Sequence, residues 1–202
     1  MTVSRLSKAL LAAAALSAFV APAASAAGVT VGAQVGMQSY TGDAGEGWNS
    51  ALLFGATGDY ALTPAWSIGA DVLFSNSKHE DDGVDAATLY PGLTGTISDE
   101  LKVMQFGAHA KYFLPLKGSP LHPYLVGGVG MYQAKVEFTA DSYSESSDDT
   151  KLGFRGGAGA HYSVNPMFAI GAEADYHSVQ TEGDALTFFQ AKAGVFFNLG
   201  AK

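Results

Sequence analysis

The chain of 202 residues contains no cysteine. Disulfide staples, thiolate metal sites and cysteine nucleophiles are thereby excluded, and stability has to come from a closed hydrogen-bond network or a large core. Charge is scarce as well. Asp, Glu, Lys and Arg together make up 15%, against about 25% in an ordinary soluble domain. Basic residues are the scarcer sign, 11 against 19 acidic, which argues against nucleic acid as a partner. Long hydrophobic runs are also lacking. The apolar stretch Ala9 to Val20 falls short of the roughly 18 residues of a membrane-spanning helix, and no later segment approaches that length.

That short run does have a meaning of its own. Arg5 and Lys8 precede it, and Ala24-Ser25-Ala26 follows with the small-x-small spacing that a signal peptidase accepts. Residues 1–26 therefore read as a secretory signal peptide cleaved after Ala26, with Ala24 and Ala26 framing the cut. No Cys follows that could take a lipid. Residues 27–202 then form one domain. Two of the basic residues lie in the leader, which leaves 9 against 19 acidic ones.

What is present is a period of two. In Thr187 to Leu199, Phe189, Ala191, Ala193, Val195, Phe197 and Leu199 alternate with Gln190, Lys192, Gly194, Phe196 and Asn198. Alternation sends each set to its own face of a strand, and the length suits the roughly 9 to 11 residues of a tilted strand crossing a bilayer core. The same period runs through Val29 to Tyr40, Leu52 to Tyr60, Trp66 to Ser75, Leu101 to Leu114, Tyr124 to Phe138, Leu152 to Tyr162 and Phe168 to His177. The count is eight. Short turns at Leu62 to Ala65, Pro115 to Pro123 and Asn165-Pro166 alternate with longer polar segments at Thr41 to Gly47, Asn76 to Asp99, Thr139 to Thr150 and Ser178 to Leu186. Ala87 to Tyr90 is a possible strand extension into the longest of these.

An even strand number with short and long connections in turn is the topology of an outer-membrane barrel. In the fifth strand the first half is apolar on both faces, so Lys135 and Glu137 decide the inner face and place Tyr124, Val126 and Tyr132 toward lipid. With that choice Tyr60, Trp66, Tyr112, Tyr124, Tyr162, Phe168 and Phe197, all near short turns, share the outward parity that an interfacial girdle requires. A soluble β-sandwich or lipocalin-like barrel would use the same period with its apolar face inside. Its outer face would carry more Lys and Glu than the Gly-rich polar set found here.

The order polar, any, Gly, any, any, apolar, any, apolar fits Lys192, Gly194, Phe197 and Leu199. Here the chain resembles the outer-membrane β-barrels of Gram-negative bacteria, whose last strand carries this signal for the barrel assembly machinery. That family usually ends on an aromatic residue, whereas Gly200, Ala201 and Lys202 follow Leu199. The resemblance is to the small group that includes the OmpA membrane domain and OmpX. It implies an all-β fold, an eight-stranded antiparallel up-and-down transmembrane β-barrel preceded by a signal peptide. It implies, further, a monomer in the outer membrane with periplasmic termini and extracellular acidic loops, in contact with lipid and lipopolysaccharide and needing no cofactor. No periplasmic peptidoglycan-binding domain is expected.

The charges of inward parity are Asp59, Asp71, Lys111, Lys135, Glu137, Arg155, Glu173, Asp175 and Lys192, joined by His109, His161 and His177. Eight strands enclose a space just wide enough for side chains. The expectation is a packed interior network of Asp71, His109, Lys111, Arg155, His161, Glu173, Asp175 and Lys192, in a protein with a structural or surface-interaction role. The alternative is a narrow channel for small or hydrophobic solutes, as in OmpW-like barrels. A lipid-modifying enzyme is the third reading, prompted by His177-Ser178 with Glu182 nearby. The lipid A deacylases of this architecture resemble that inventory, but their His and Ser stand one residue apart, and adjacent residues on a strand point oppositely. No catalytic residue is assigned. His79-Glu80-Asp81-Asp82 and Asp148-Asp149 offer oxygen ligands for a divalent cation or a bridge to lipopolysaccharide, yet without calcium-loop spacing. They read as solvated loops, where surface contacts are made.

Overall fold

In the computed structural model the described residues are 28–42, 47–78, 97–140, 143–181, 183 and 185–199, including the side chains of all but 97–99, 136–140 and 143–148. The proposed leader, His79 to Asp82, Ala87 to Tyr90 and Glu182 lie outside them. Alternation is carried through into strands β1 (Val29–Thr41), β2 (Ala51–Ala61), β3 (Trp66–Lys78), β4 (Ile97–Phe113), β5 (Leu121–Ala140), β6 (Tyr143–Asn165), β7 (Phe168–Val179) and β8 (Leu186–Leu199). They form a closed barrel in sequence order. β8 returns antiparallel to β1 from Val29↔Leu199 to Thr41↔Thr187. Closure matters because a bilayer offers no water to unpaired backbone groups, and a barrel leaves no edge along its spanning part.

The two parities have opposite fates. Leu52, Phe54, Phe154 and Phe189 stand exposed on the outside, while Leu53, Leu73, Phe188 and Phe196 are buried inside. Outward aromatic residues fall in two bands. Trp66 and Tyr112 meet at 4.9 Å and Phe168 and Phe197 at 5.4 Å near the short turns; Phe54 packs on Phe74 and Tyr176 on Phe189 toward the other end. Trp66 to Phe74 and Phe168 to Tyr176 span eight steps each. That is about 26 Å along a strand at about 3.3 Å per residue, and about 20 Å across the bilayer at a tilt near 40°, close to the roughly 25 Å apolar band of such barrels.

Strand five corrects the sequence reading. Tyr124 is 1% exposed and Tyr132 2%, both inside with Val126, whereas Leu125, Val129 and Met131 are about half exposed outside. Register is the reason: Lys111 pairs with Val126 and His109 with Gly128, and directly opposed residues share a face. Lys135 and Glu137 thus have outward parity. They lie in the part of β5 beyond the apolar band, where a charge costs little and its parity no longer identifies the lipid face. Tyr124 leaves the girdle; Tyr60, Trp66, Tyr112, Tyr162, Phe168 and Phe197 remain in its parity.

The polar segment Thr139 to Thr150 is likewise strand at its described residues, 139–140 and 143–150. Its backbone continues the β5–β6 ladder through Ala134↔Asp149 to Ala140↔Tyr143, because backbone pairing outside the membrane needs no apolar alternation, and Thr and Tyr are themselves good strand residues. β4 begins at Ile97 and β3 reaches Lys78, which shortens the expected Asn76 to Asp99 loop from both sides. β5 starts at Leu121, so His122 and Pro123 belong to the strand rather than the turn.

Candidate functional site

The barrel interior gathers the charged residues that inward parity selects. Asp59 on β2, Asp71 on β3, His109 and Lys111 on β4, Arg155 on β6, Glu173 and Asp175 on β7 and Lys192 on β8 are all buried. Lys111 Nζ donates to Asp59 Oδ2 at 2.9 Å. His109 bridges the next gap, Nε2 lying 2.9 Å from Asp59 Oδ1 and Nδ1 2.9 Å from Asp71 Oδ2. Arg155 continues the chain, Nη2 bonding Asp71 and Nη1 reaching Asp175 Oδ2 at 3.4 Å. Lys192 Nζ closes it, 2.9 Å from both Asp175 Oδ2 and Glu173 Oε1. The ladder of charges crosses the lumen from β4 to β8.

Hydrogen-bonding chemistry bears on two of the rings. Both ring nitrogens of His109 face carboxylates, and each can serve one only as an N–H donor, so the geometry is satisfied by imidazolium. Lys111, Arg155, Lys192 and His109 then face Asp59, Asp71, Glu173 and Asp175, and these eight charges cancel. His177 is different. Its Nε2 lies 3.1 Å from Asp175 Oδ2 and its Nδ1 2.7 Å from the Tyr132 hydroxyl, which a neutral ring fulfils by donating at Nε2 and accepting the phenol proton at Nδ1.

Around the ions lies a neutral layer. Gln105 Nε2 donates to Asp71 Oδ1 at 3.2 Å, and Gln190 Nε2 donates to Gln38 Oε1 at 2.9 Å, which brings in β1. Tyr124 donates to Glu173 Oε2 at 2.8 Å, with Lys111 Nζ 5.2 Å from the centre of its ring. His161 is buried but stands apart from this network. Its ring packs on Phe196 at 4.1 Å and edge-on to Tyr124, and its Nε2 has no hydrogen-bond partner among the described residues. Tyr124 and Tyr132, like Val126, are interior residues that sequence parity placed outside. The signal was present: on β5 Leu125, Val129 and Met131 alternate with Val126, Gly128 and Gly130, an asymmetry that Leu152 and Phe154 against Gly153 and Gly157 repeat on β6.

Ser178 pairs with Phe154 on the outward parity while His177 pairs with Arg155 on the inward one, so the two side chains lie on opposite sides of the wall. Of the terminal-strand residues, Lys192 and Gly194 have inward parity, whereas Phe197 and Leu199 point outward and are 49% and 41% exposed.

Residues 9–197 match the outer membrane protein beta-barrel domain. Neisserial surface protein A is similar in structure, with a TM-score of 0.60 and 18% identity over 84% of this chain and 96% of its own. A major outer membrane protein of Thermus thermophilus gives 0.59 and 14% over 86% and 99%, and Ail, the attachment invasion locus protein of Yersinia pestis, 0.52 and 17% over 85% and 97%. At such identities the likeness is one of fold. No curated protein matches in sequence. With the family's pattern running through nearly its whole length and a closed eight-stranded barrel to match, the chain belongs to the outer membrane protein β-barrel domain family.

Proposed function

We propose that this outer-membrane barrel is a structural and surface-interaction protein whose interior is packed rather than open. The observation that carries the reading is the ion ladder itself, in which Asp71, Arg155 and Asp175 join opposite walls with side chains at most 3% exposed. A water-filled channel would leave such groups wet, and their pairing would be needed less. In this reading the short turns and both termini are periplasmic and the long hairpins reach outward to meet lipopolysaccharide and surface partners. Two similar barrels are named as a surface protein and an attachment invasion locus protein, which agrees with that role. Cleavage after Ala26, and recognition of Lys192, Gly194, Phe197 and Leu199 by the assembly machinery, complete the path to the membrane.

Topology is directly testable because the chain has no native cysteine. A single Asp149→Cys variant labelled on intact cells with an impermeant maleimide should react, and Lys117→Cys, in the turn between β4 and β5, should react only after the envelope is opened. The reverse pattern would place the long hairpins in the periplasm and end the surface reading.

A further inference from the structure

At the end of the barrel away from the short turns, the inward face changes character. Leu101, Val103, Tyr132, Val179 and Phe188 form a buried apolar cluster there, with Trp48, Ala134 and Leu186 packed against it. Val103, Tyr132, Val179 and Phe188 line a cavity of about 270 Å³ that is open on one side. Its floor is made of rings. Phe188 stacks on His177 at 4.8 Å with an interplanar angle of 12°, and Tyr132 meets Phe188 edge-on at 6.0 Å. Below them the bond from His177 to Asp175 begins the ion ladder. These side chains face the lumen, so the lipid bilayer does not account for an apolar cup at a mouth where water has access.

The rim supplies charge. Lys151 and Asp149 are paired at 3.0 Å, with side chains 27% and 61% exposed. Lys151 is the cross-strand partner of Tyr132 and Asp149 that of Ala134, so Lys151 springs from the strand two residues deeper than Asp149, and both line the cavity. An ion pair whose carboxylate is 61% exposed is weakly held, at roughly 0 to 1 kcal/mol, so an incoming anion can exchange with Asp149 among the contacts of Lys151. The volume lies just under the roughly 300 to 1,000 Å³ typical of pockets for drug-sized ligands, which suits one short chain and excludes a lipid with several acyl groups.

We propose that this cup binds a medium-chain amphiphile with an anionic head, the tail lying on Phe188 and Tyr132 and the head meeting Lys151. The inference goes beyond the surface role and needs only the closed floor of the packed interior. Octanoate is a suitable probe because it is soluble and single-chained. The protein carries two tryptophans, and Trp48 borders the cluster, so Trp66→Phe in lipid vesicles leaves one reporter. Octanoate should change Trp48 emission saturably. Ala134→Phe, which fills the cup, should weaken binding at least tenfold. Lys151→Gln, or octanol in place of octanoate, should each weaken it about fivefold or more. Retained heat-modifiable migration on gels identifies the variants as folded. A linear response equal to that of a membrane-bound tryptophan peptide in the same vesicles, undiminished binding in folded Ala134→Phe, or octanol binding as tightly as octanoate would overturn the proposal. Ion conductance reports separately on the packed interior, so a silent barrel without saturable octanoate binding overturns the cup alone.

Discussion

Asp71 is the junction at which the interior is held together. One carboxylate receives His109, Arg155 and Gln105, and it is 4% exposed. Removing one partner of a buried pair leaves the others uncompensated, at a cost of roughly 3 to 5 kcal/mol. Asp71→Ala should therefore lower stability by about that amount in urea unfolding from liposomes. Glu100→Gln, whose partner Lys102 is 42% exposed, should cost less than about 1 kcal/mol. Equal effects would mean that the interior pairs are no stronger than surface ones. Inward Gly69 and outward Gly58 belong to the same scale. A Cβ on Gly69 would lie 2.6 Å from His109 Nε2 and 2.9 Å from Asp59 Oδ1, whereas one on Gly58 would meet nothing within 4 Å. Gly69→Ala should destabilise by about 1 to 3 kcal/mol through overpacking and Gly58→Ala should be nearly neutral in the same assay.

At the scale of the strand, β5 separates the two accounts of which face meets lipid. Spin labels at Leu125 and Val129 should be accessible to oxygen dissolved in the bilayer, and labels at Val126 should not. Val129→Arg should cost roughly 2 to 4 kcal/mol near the midplane; a reversed accessibility pattern would restore the assignment based on Lys135 and Glu137. The other strands show why this one failed. Asp59, Asp71, Arg155, Glu173, Asp175 and Lys192 lie within the apolar band, where a charge has one tolerable direction, so sequence parity placed them inside. Lys135 and Glu137 lie past the band, and their parity carries no such constraint. Strand ends were hidden for a related reason. Ser, Thr and Asp in 139–150 look like a loop by composition, yet the β5–β6 ladder runs through 139–140 and 143–150, since hairpin pairing outside the membrane does not depend on apolar alternation. The partners of each interior charge were not legible at all. They depend on the stagger between strands, which no single strand encodes.

For the whole molecule, closure and neutrality act together. The β1–β8 seam removes the sheet edge, and the eight interior charges from Lys111 to Lys192 balance, with His109 as the fourth cation. Seven of the eight strands place a side chain in the ladder or in its tyrosine partners, and Gln38 ties in β1 through Gln190. Removal of one cation should therefore unsettle distant pairs. Arg155→Ala combined with Asp71→Ala should cost less than the sum of the two single variants by about 0.5 to 3 kcal/mol, the range for residues in contact, as measured by a double-mutant unfolding cycle. The central claim, that the lumen is filled by this ladder, is tested most directly by single-channel recording of the refolded protein in a planar bilayer, alongside Lys111→Ala and Arg155→Ala. The account predicts no steady unitary conductance from the wild type, with the variants losing stability. Stable conductance steps in the wild type, altered in ion selectivity by Lys111→Ala or Arg155→Ala, would show that these charges line a water path and would contradict it.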